Sequence, residues 1–275
     1  MSDAAGGREE AFERRPVGMA GREASSDWGI AVESPVEIRL NDAPWTVMLA
    51  TPCDVEDLAV GLAITEGLVS DAEAIEHVDI TTWLGDITVN LTVPAKLLRV
   101  QPSGSRALAG NSGCGLCGLE SLAALHRRQD ARQQTIRSSQ AIGDEAIATA
   151  FAALPEFQPI NRNTHSVHAA AWCRPDGHIE EVREDVGRHN ALDKLVGSRA
   201  RQRRLGEPGF IVMTSRCSYE LVSKAAAANA MLLATISAPT TLALAWSQQL
   251  GVPLACCGPG GQIVRFPQEA VHVGR

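Results

Sequence analysis

FIVMTSRCSYELVSKAAAANAMLLATISAPTTLALAWSQQLGVPLACC, residues 210–257, sets the fold class. Phe210-Ile211-Val212-Met213 is an apolar run with the length of a buried strand. Residues 219–230 carry helical spacing, 231–236 a second apolar strand, 240–250 a second helix and 252–257 a third strand. This β-α-β-α-β alternation predicts a parallel sheet with right-handed crossovers. Each strand runs into a polar or glycine-rich turn: Ser215-Arg216-Cys217-Ser218, then Ser237-Ala238-Pro239-Thr240, then Gly258-Pro259-Gly260-Gly261. Open α/β sheets bind ligands at the carboxyl ends of their strands, so these turns mark one candidate edge.

Outward from that block the pattern changes. Val36, Ile38 and Leu40 alternate, Asn41-Asp42-Ala43-Pro44 turns the chain, and Trp45, Val47 and Leu49 alternate again, which predicts a hairpin. Asp54 is placed to cap a helix whose Val55, Leu58, Ala59 and Leu62 follow at helical spacing, ending near Glu66-Gly67. Ile87, Val89, Leu91 and Val93 predict another strand. Residues 119–128 and 140–154 read as helices, and 167–173 as a strand closed by the turn Arg174-Pro175-Asp176-Gly177. The organisation predicted is a disordered tail over 1–30, an α+β part over 31–108, and an α/β domain over 109–275.

The bulk properties narrow the function. The chain has 275 residues, is 45% hydrophobic and 21% charged, and has a net charge of −7. Acidity of this size argues against general nucleic-acid binding, and 4% aromatics argue against base-stacking platforms. No run reaches the length of a membrane span, and residues 1–15 lack the apolar core of a secretory signal, so the expected location is the cytoplasm. Seven cysteines in that compartment are expected to be thiols, with Cys53, Cys173 and Cys217 as small buried hydrophobes, and Cys256 and Cys257, which end an apolar run, as structural too.

The sharpest motif is Ser112-Gly113-Cys114-Gly115-Leu116-Cys117-Gly118. The glycines keep bulk away from the two sulfurs, and a helix expected just after would favour a thiolate through its N-terminal amides. Half of a zinc site, a structural pair and reactive sulfur chemistry are the three readings of this pair. No second Cys-x-x-Cys or paired-histidine partner stands at zinc-finger spacing, and no resident metal is expected. The serines and glycines of 100–118 predict a loop with few apolar anchors. A second motif, Glu184-Asp185-Val186-Gly187-Arg188-His189-Asn190-Ala191-Leu192-Asp193-Lys194, brings donors to a helix start, as an anion would need. His168 begins an apolar strand. Arg199, Arg201, Arg203 and Arg204 read as a solvated run.

Taken in order, SGCGLCG, HAAAW, EDVGRHNALDK, SYELVSKA and SAPTTLALA resemble the FdhD family of formate dehydrogenase accessory sulfurtransferases, as does TPCDVEDLAVGLAITEGLV upstream. The resemblance covers roughly residues 32–266. It implies a cytidine-deaminase-like three-layer α/β domain with a mixed or parallel sheet, a smaller N-terminal α+β part, and a homodimer. It implies that a cysteine desulfurase supplies persulfide sulfur, carried on Cys114 with Cys117 as a second or resolving thiol. The sulfur would pass to the molybdenum of a bis-molybdopterin guanine dinucleotide, bound as client before its insertion into formate dehydrogenase. Arg188, His189, Asn190, Asp193, Lys194, Arg216 and Ser218, with Cys257, Gly258, Pro259, Gly260, Gly261 and Gln262, become the candidates for holding that cofactor. The chain departs from the family pattern at three places. Thr164-His165-Ser166 stands where Thr-Gly-Gly is common, Ser215 where glycine is common, and the stretch from Cys257 lacks an arginine. A non-catalytic cofactor chaperone is an alternative. So is a zinc-dependent deaminase, for which His178-Ile179-Glu180 would have to serve.

Overall fold

Asn41 and Asp42 both adopt left-handed backbone, with φ of 50° and 65°. Two such residues make the tight turn whose twist matches a hairpin, and they tolerate the conformation better than most. The computed structural model describes residues 11–17, 26–99 and 142–266. Strands β1 (Phe12–Val17) and β2 (Ser26–Ala31) form an antiparallel ribbon, where the sequence predicted an unstructured tail. The turn at Asn41 joins β3 (Ser34–Leu40) to β4 (Ala43–Ala50). Helix α1 (Val55–Thr65) follows, then β5 (His77–Trp83) and β6 (Asp86–Thr92). These strands make a sheet of order β4-β3-β6-β5, in which only β3 and β6 run parallel. Asp54 stands at the start of α1 without capping it: its backbone is left-handed, and its carboxylate lies 3.7 Å from Arg183.

The second sheet comes from the later chain. Helices α2 (Asp144–Ala153) and α3 (Pro159–Thr164) precede β7 (His168–Cys173) and β8 (Ile179–Asp185). Helix α4 (Arg188–Arg201) leads to β9 (Phe210–Met213), α5 (Tyr219–Ala227), β10 (Leu233–Thr235), α6 (Thr241–Leu250), β11 (Leu254–Cys257) and β12 (Ile263–Phe266). The order is β12-β11-β10-β9-β7-β8, with β9, β10 and β11 parallel as expected and the flanking strands antiparallel. Alternation sends Ala170, Trp172, Ile211, Met213, Leu233 and Leu254 toward α4, α5 and α6. It sends Ala169, Ala171, Phe210, Val212, Ala234 and Ala255 toward α2. Helices therefore cover both faces, in the mixed α/β, three-layer arrangement the sequence predicted.

The N-terminal part does not have a core of its own. Val36, Ile38, Val89 and Leu91 of the first sheet share one buried cluster with α1, α4, α5 and α6. The join is the crossing of α1 over α4, where Gly61 and Gly197 lie backbone to backbone. A methyl group on Gly61 would sit 1.8 Å from the Asp193 carbonyl oxygen, and one on Gly197 would sit 1.9 Å from that of Asp57. The boundary expected at residues 108 and 109 lies outside the described residues.

The β8 strand departs from the sequence reading, which left residues 179–185 without an element. A bulge between Trp172 and Cys173 shifts the register, so Ile179 and Val182 face the same core cluster despite their odd spacing. The rest of the strand is charged, and its charges are paired: Arg183 bonds Asp57 at 3.0 Å and lies 3.0 Å from Glu181. In the arginine run that follows, Arg201 and Arg203 are exposed as expected, but Arg199 is not part of a solvated surface. Arg199 is fully buried, stacks 4.1 Å over the Trp172 ring, and reaches Glu180 at 3.2 Å and Glu207 at 2.9 Å. Arg204 and Arg203 pair with Glu180 and Glu73.

Candidate functional site

Topology brings the described sequence motifs to one edge. Because β9, β10 and β11 run parallel, the turns after them open on the same side. Because β7 is antiparallel to β9 and β8 to β7, the start of β7 and the end of β8 open there too. His168 pairs with Asp185 at that edge. Three helices begin along it, capped by Gly187, Ser218 and Thr240, and the Thr240 hydroxyl accepts from the Ala243 amide at 3.2 Å. Their N-termini point partial positive charge outward. The turns are tied together, since the Thr240 amide donates to the Cys217 carbonyl at 3.1 Å and the Ile236 amide to that of Met213 at 3.0 Å.

The motif at 184–194 divides sharply by role. The Glu184 carboxylate accepts from the Ile160 and Asn161 amides at 2.9 and 2.8 Å, and so holds the start of α3. The Asp185 carboxylate, fully buried, accepts from the Gly187 amide at 2.7 Å, Asn190 Nδ2 at 3.0 Å and the Thr51 amide at 3.0 Å. It also pairs with Lys194 Nζ at 2.6 Å, which donates to the Thr51 carbonyl at 2.9 Å. Asp193 faces the other way, into Lys224 Nζ at 2.8 Å and Thr65 Oγ1 at 2.6 Å. Asn190, Asp193 and Lys194, read from sequence as cofactor contacts, are therefore buried side chains with partners inside the chain. A buried charge left without its partner would cost several kcal/mol, so these pairs fix the loop geometry. Arg188 and His189 are what the motif turns toward the edge.

Those two meet the turn after β9. His189 Nε2 lies 3.4 Å from Ser218 Oγ and 3.8 Å from the Glu220 carboxylate. Burial opposes ionisation of Glu220, but His189 and Ser218 outweigh it and hold the carboxyl below its usual range. Burial, with the nearby positive charge of Arg216, lowers the basicity of Arg188, while Glu220 works against both. His168 is pushed down by burial first and by Arg188 second, so its ring stays neutral at physiological pH. The arrangement offers two guanidiniums, a neutral imidazole and three helix N-termini to an anion. Glu220 and His168 join the site although neither was singled out as a cofactor contact. Glu220 stands in the SYELVSKA motif, two residues after Ser218, and that spacing was the available signal.

Ser215, where glycine is common in the resembling family, is not among the residues with positive φ, so serine fits there without strain. His165 does take a left-handed backbone, φ 50°, and its ring lies 5.2 Å from that of Trp28. Cys257, Gly258, Pro259, Gly260, Gly261 and Gln262 form the tight connection from β11 to β12, closed by a 2.7 Å bond from the Gly258 amide to the Gln262 carbonyl. Gly260 and Gly261 supply its positive φ values of 74° and 80°. It opens on the same edge as Arg188 but four strand spacings away, roughly 19 Å. A mononucleotide cannot touch both ends, whereas an extended dinucleotide can.

Cys114 and Cys117 lie outside the described residues. Among those described, Cys53, Cys173, Cys217 and Cys256 are buried free thiols and Cys257 is half-buried. Burial pushes Cys217 up to about 12 and Cys173 well above the usual thiol range, so neither forms a useful thiolate. Iodoacetamide at about pH 8 is expected to leave both unmodified in the native chain and to modify both in urea, as read by peptide mapping. Native labelling of Cys173 or Cys217 would contradict this. The His178-Ile179-Glu180 alternative loses its acid–base group, because Glu180 is committed to Arg199 and Arg204 at 3.2 and 2.9 Å.

The model of the FdhD/NarQ family matches residues 31–268. The sulfur carrier protein FdhD of Xanthomonas euvesicatoria is 43% identical over 234 residues, covering 85% of this chain and 82% of that protein. The protein of the same name from Cupriavidus necator is 42% identical over 245 residues, covering 88% and 84%. A solved structure from Desulfotalea psychrophila, described as a candidate formate dehydrogenase accessory protein, shares the fold at a TM-score of 0.69 and 20% identity, covering 95% of this chain and 97% of that one. With the motifs at one sheet edge, the family match over most of the sequence, and relatives this similar along more than four-fifths of it, the chain belongs to the FdhD/NarQ family.

Proposed function

We propose that this chain is a cytoplasmic sulfur carrier that takes persulfide sulfur from a cysteine desulfurase and delivers it to the molybdenum cofactor of a formate dehydrogenase. The observation that carries this reading is the glycine-flanked pair Cys114 and Cys117 in a chain 43% identical to a protein named as a sulfur carrier. Among the described residues, no helix is long and apolar enough to cross a membrane. The chemistry needs a thiolate at each of its two steps. The Cys114 thiolate attacks the outer sulfur of the donor persulfide; a new S–S bond forms, the donor's own S–S bond breaks, and the donor cysteine leaves as a thiolate. In release, the Cys117 thiolate attacks Cys114 Sγ. The bond to the carried sulfur breaks, that sulfur leaves as sulfide with the electron pair, and the two cysteines are oxidised to a disulfide. A dithiol reductant then resets the pair.

The client cofactor is substrate here, and its chemistry fits the strand-end edge. The edge donates to anions through Arg188, Arg216 and three helix N-termini, and the roughly 19 Å between Arg188 and the 258–262 connection suits an elongated, multiply phosphorylated molecule. The delivery role favours sulfur transfer over a passive chaperone because a chaperone has no use for a reactive pair. The edge is tested by titrating GDP, a fragment of the client, into single-site variants. Arg188→Ala and Arg216→Ala are each expected to weaken binding about tenfold, the worth of a hydrogen bond to a charged group. Unchanged affinity in both, with loss on neutralising Arg201, Arg203 and Arg204 instead, would move the site to the far end of α4.

A further inference from the structure

Apart from the last residue of β2, the ribbon of β1 and β2 lies outside the stretch that the family model matches. It is built into the body of the molecule all the same. Ala11 is fully buried with Cys53, Ile160 and Val167, and the Val32 amide donates to the Ala11 carbonyl at 2.9 Å. A methyl group on Gly29 would sit 2.6 Å from the Asn163 carbonyl oxygen, so only glycine lets β2 lie this close to α3. That contact brings the neighbouring Trp28 to His165, with ring centroids 5.2 Å apart and planes tilted by 51°. Trp28 is half-buried and His165 is exposed. His165 closes α3 in left-handed backbone, at a C-terminal position that glycine fills at least cost. A histidine kept in that conformation points to a use for its side chain. His165 also stands three residues before His168, so the two backbones are within roughly 10 Å of each other. His168 lies on the strand-end edge, paired with Asp185 and under the influence of the Arg188 charge.

We propose that Trp28 and His165 form an aromatic wall at this end of the edge, on which a planar heterocycle stacks while Arg188 and Arg216 hold the phosphate chain joined to it. The proposal rests on the reading of the edge as the cofactor site, and adds the residues that take the ring to those that take the phosphates. The pair is more than a fastening for the ribbon, because the buried Ala11, the Val32 amide and the close approach at Gly29 already hold the ribbon down. An aromatic face suits any heterocycle, since every base has a π-face of its own. The spacing suits one nucleotide, with the ring on the wall and the phosphates toward Arg188. Neither residue belongs to the family pattern, since Trp28 precedes the matched stretch and His165 stands where glycine is common. The wall is therefore a feature of this chain, added beside the motifs it shares with its relatives.

The test titrates the full chain with GDP and, separately, with inorganic pyrophosphate. His165→Gly is expected to weaken GDP about tenfold, the worth of one stacked base, and to leave pyrophosphate unchanged. Glycine suits the left-handed backbone, so this variant keeps its fold, and a merely structural role for the ring would move neither titration. Tryptophan emission reads the same contact. Trp45, Trp172 and Trp246 are buried, and Trp83 ends β5 in the other sheet. GDP is expected to quench part of the emission of the native chain, pyrophosphate to quench none, and Trp28→Phe to lose the quenching. Unchanged GDP affinity in His165→Gly, equal losses for GDP and pyrophosphate, or quenching that survives Trp28→Phe would overturn the wall and leave the reading of the edge standing. A native chain that binds neither ligand would overturn that reading and the wall with it.

Discussion

Replacing Cys114 with alanine is expected to abolish sulfur loading and, in cells, formate dehydrogenase activity. Three of the five thiols in the described part of the chain are poor stand-ins. Cys173 and Cys217 are buried and held protonated, and burial raises Cys256 as well. Cys117 follows Leu116 and has one flanking glycine, whereas Gly113 and Gly115 flank Cys114 on both sides. A thiol that must both accept and release sulfur works best with a pKa near ambient pH, because nucleophilicity falls as pKa falls. Cys117→Ser is expected to retain loading and to slow release, since it removes the resolving thiol alone. Complementation of a strain lacking its own carrier reads the first effect, and single-turnover sulfide release reads the second. Activity retained by Cys114→Ala and lost in Cys117→Ser would reverse the two roles.

The second large effect is structural and has the opposite sign to what helix propensity alone suggests. Glycine to alanine inside a helix ordinarily stabilises by about 1 kcal/mol. Gly197→Ala is expected to destabilise by at least about 3 kcal/mol. Its new methyl group would sit 1.9 Å from the Asp57 carbonyl oxygen and 2.7 Å from the Gly61 amide nitrogen. These are backbone atoms, so no rotamer change relieves the clash, and α1 must lift from α4. That lift would strain the pairs that cross the same seam, Arg201 with Asp57 and Thr65 with Asp193. Gly61→Ala should behave alike, at 1.8 Å from the Asp193 oxygen. Urea unfolding measures both, and a native-like midpoint in either would show that the seam is looser than drawn.

The parallel block at 210–257 was legible because each of its strands is a short apolar run and each helix has a repeating apolar face. The hairpin around Asn41 was legible from its turn residues. Strand β8 was not, because a bulge breaks its period and its charges are satisfied by the following helix α4 and by α1, far away in sequence. Helix α4 shows the same limit for the site. Asp185 answers to Thr51, Asp193 to Thr65 and Lys224, and Arg199 to Trp172, and no local pattern announces pairs of that separation. Asn190, Asp193 and Lys194 in a charge-rich motif at a helix start were therefore read as ligand contacts, although their side chains are buried against partners within the chain. Arg188, His189, Arg216 and Ser218 were legible as candidates because they stand at strand ends, where topology alone places them.

The most direct measurement is intact mass spectrometry of the chain after incubation with a cysteine desulfurase and cysteine, followed by peptide mapping. The expected result is a mass increment of one sulfur atom, removed by dithiothreitol, located on Cys114 and absent from Cys114→Ala. A chain that gains no sulfur, or that carries it on Cys257 or another thiol while Cys114 stays unmodified, would contradict the assignment of this protein as a persulfide carrier acting through Cys114.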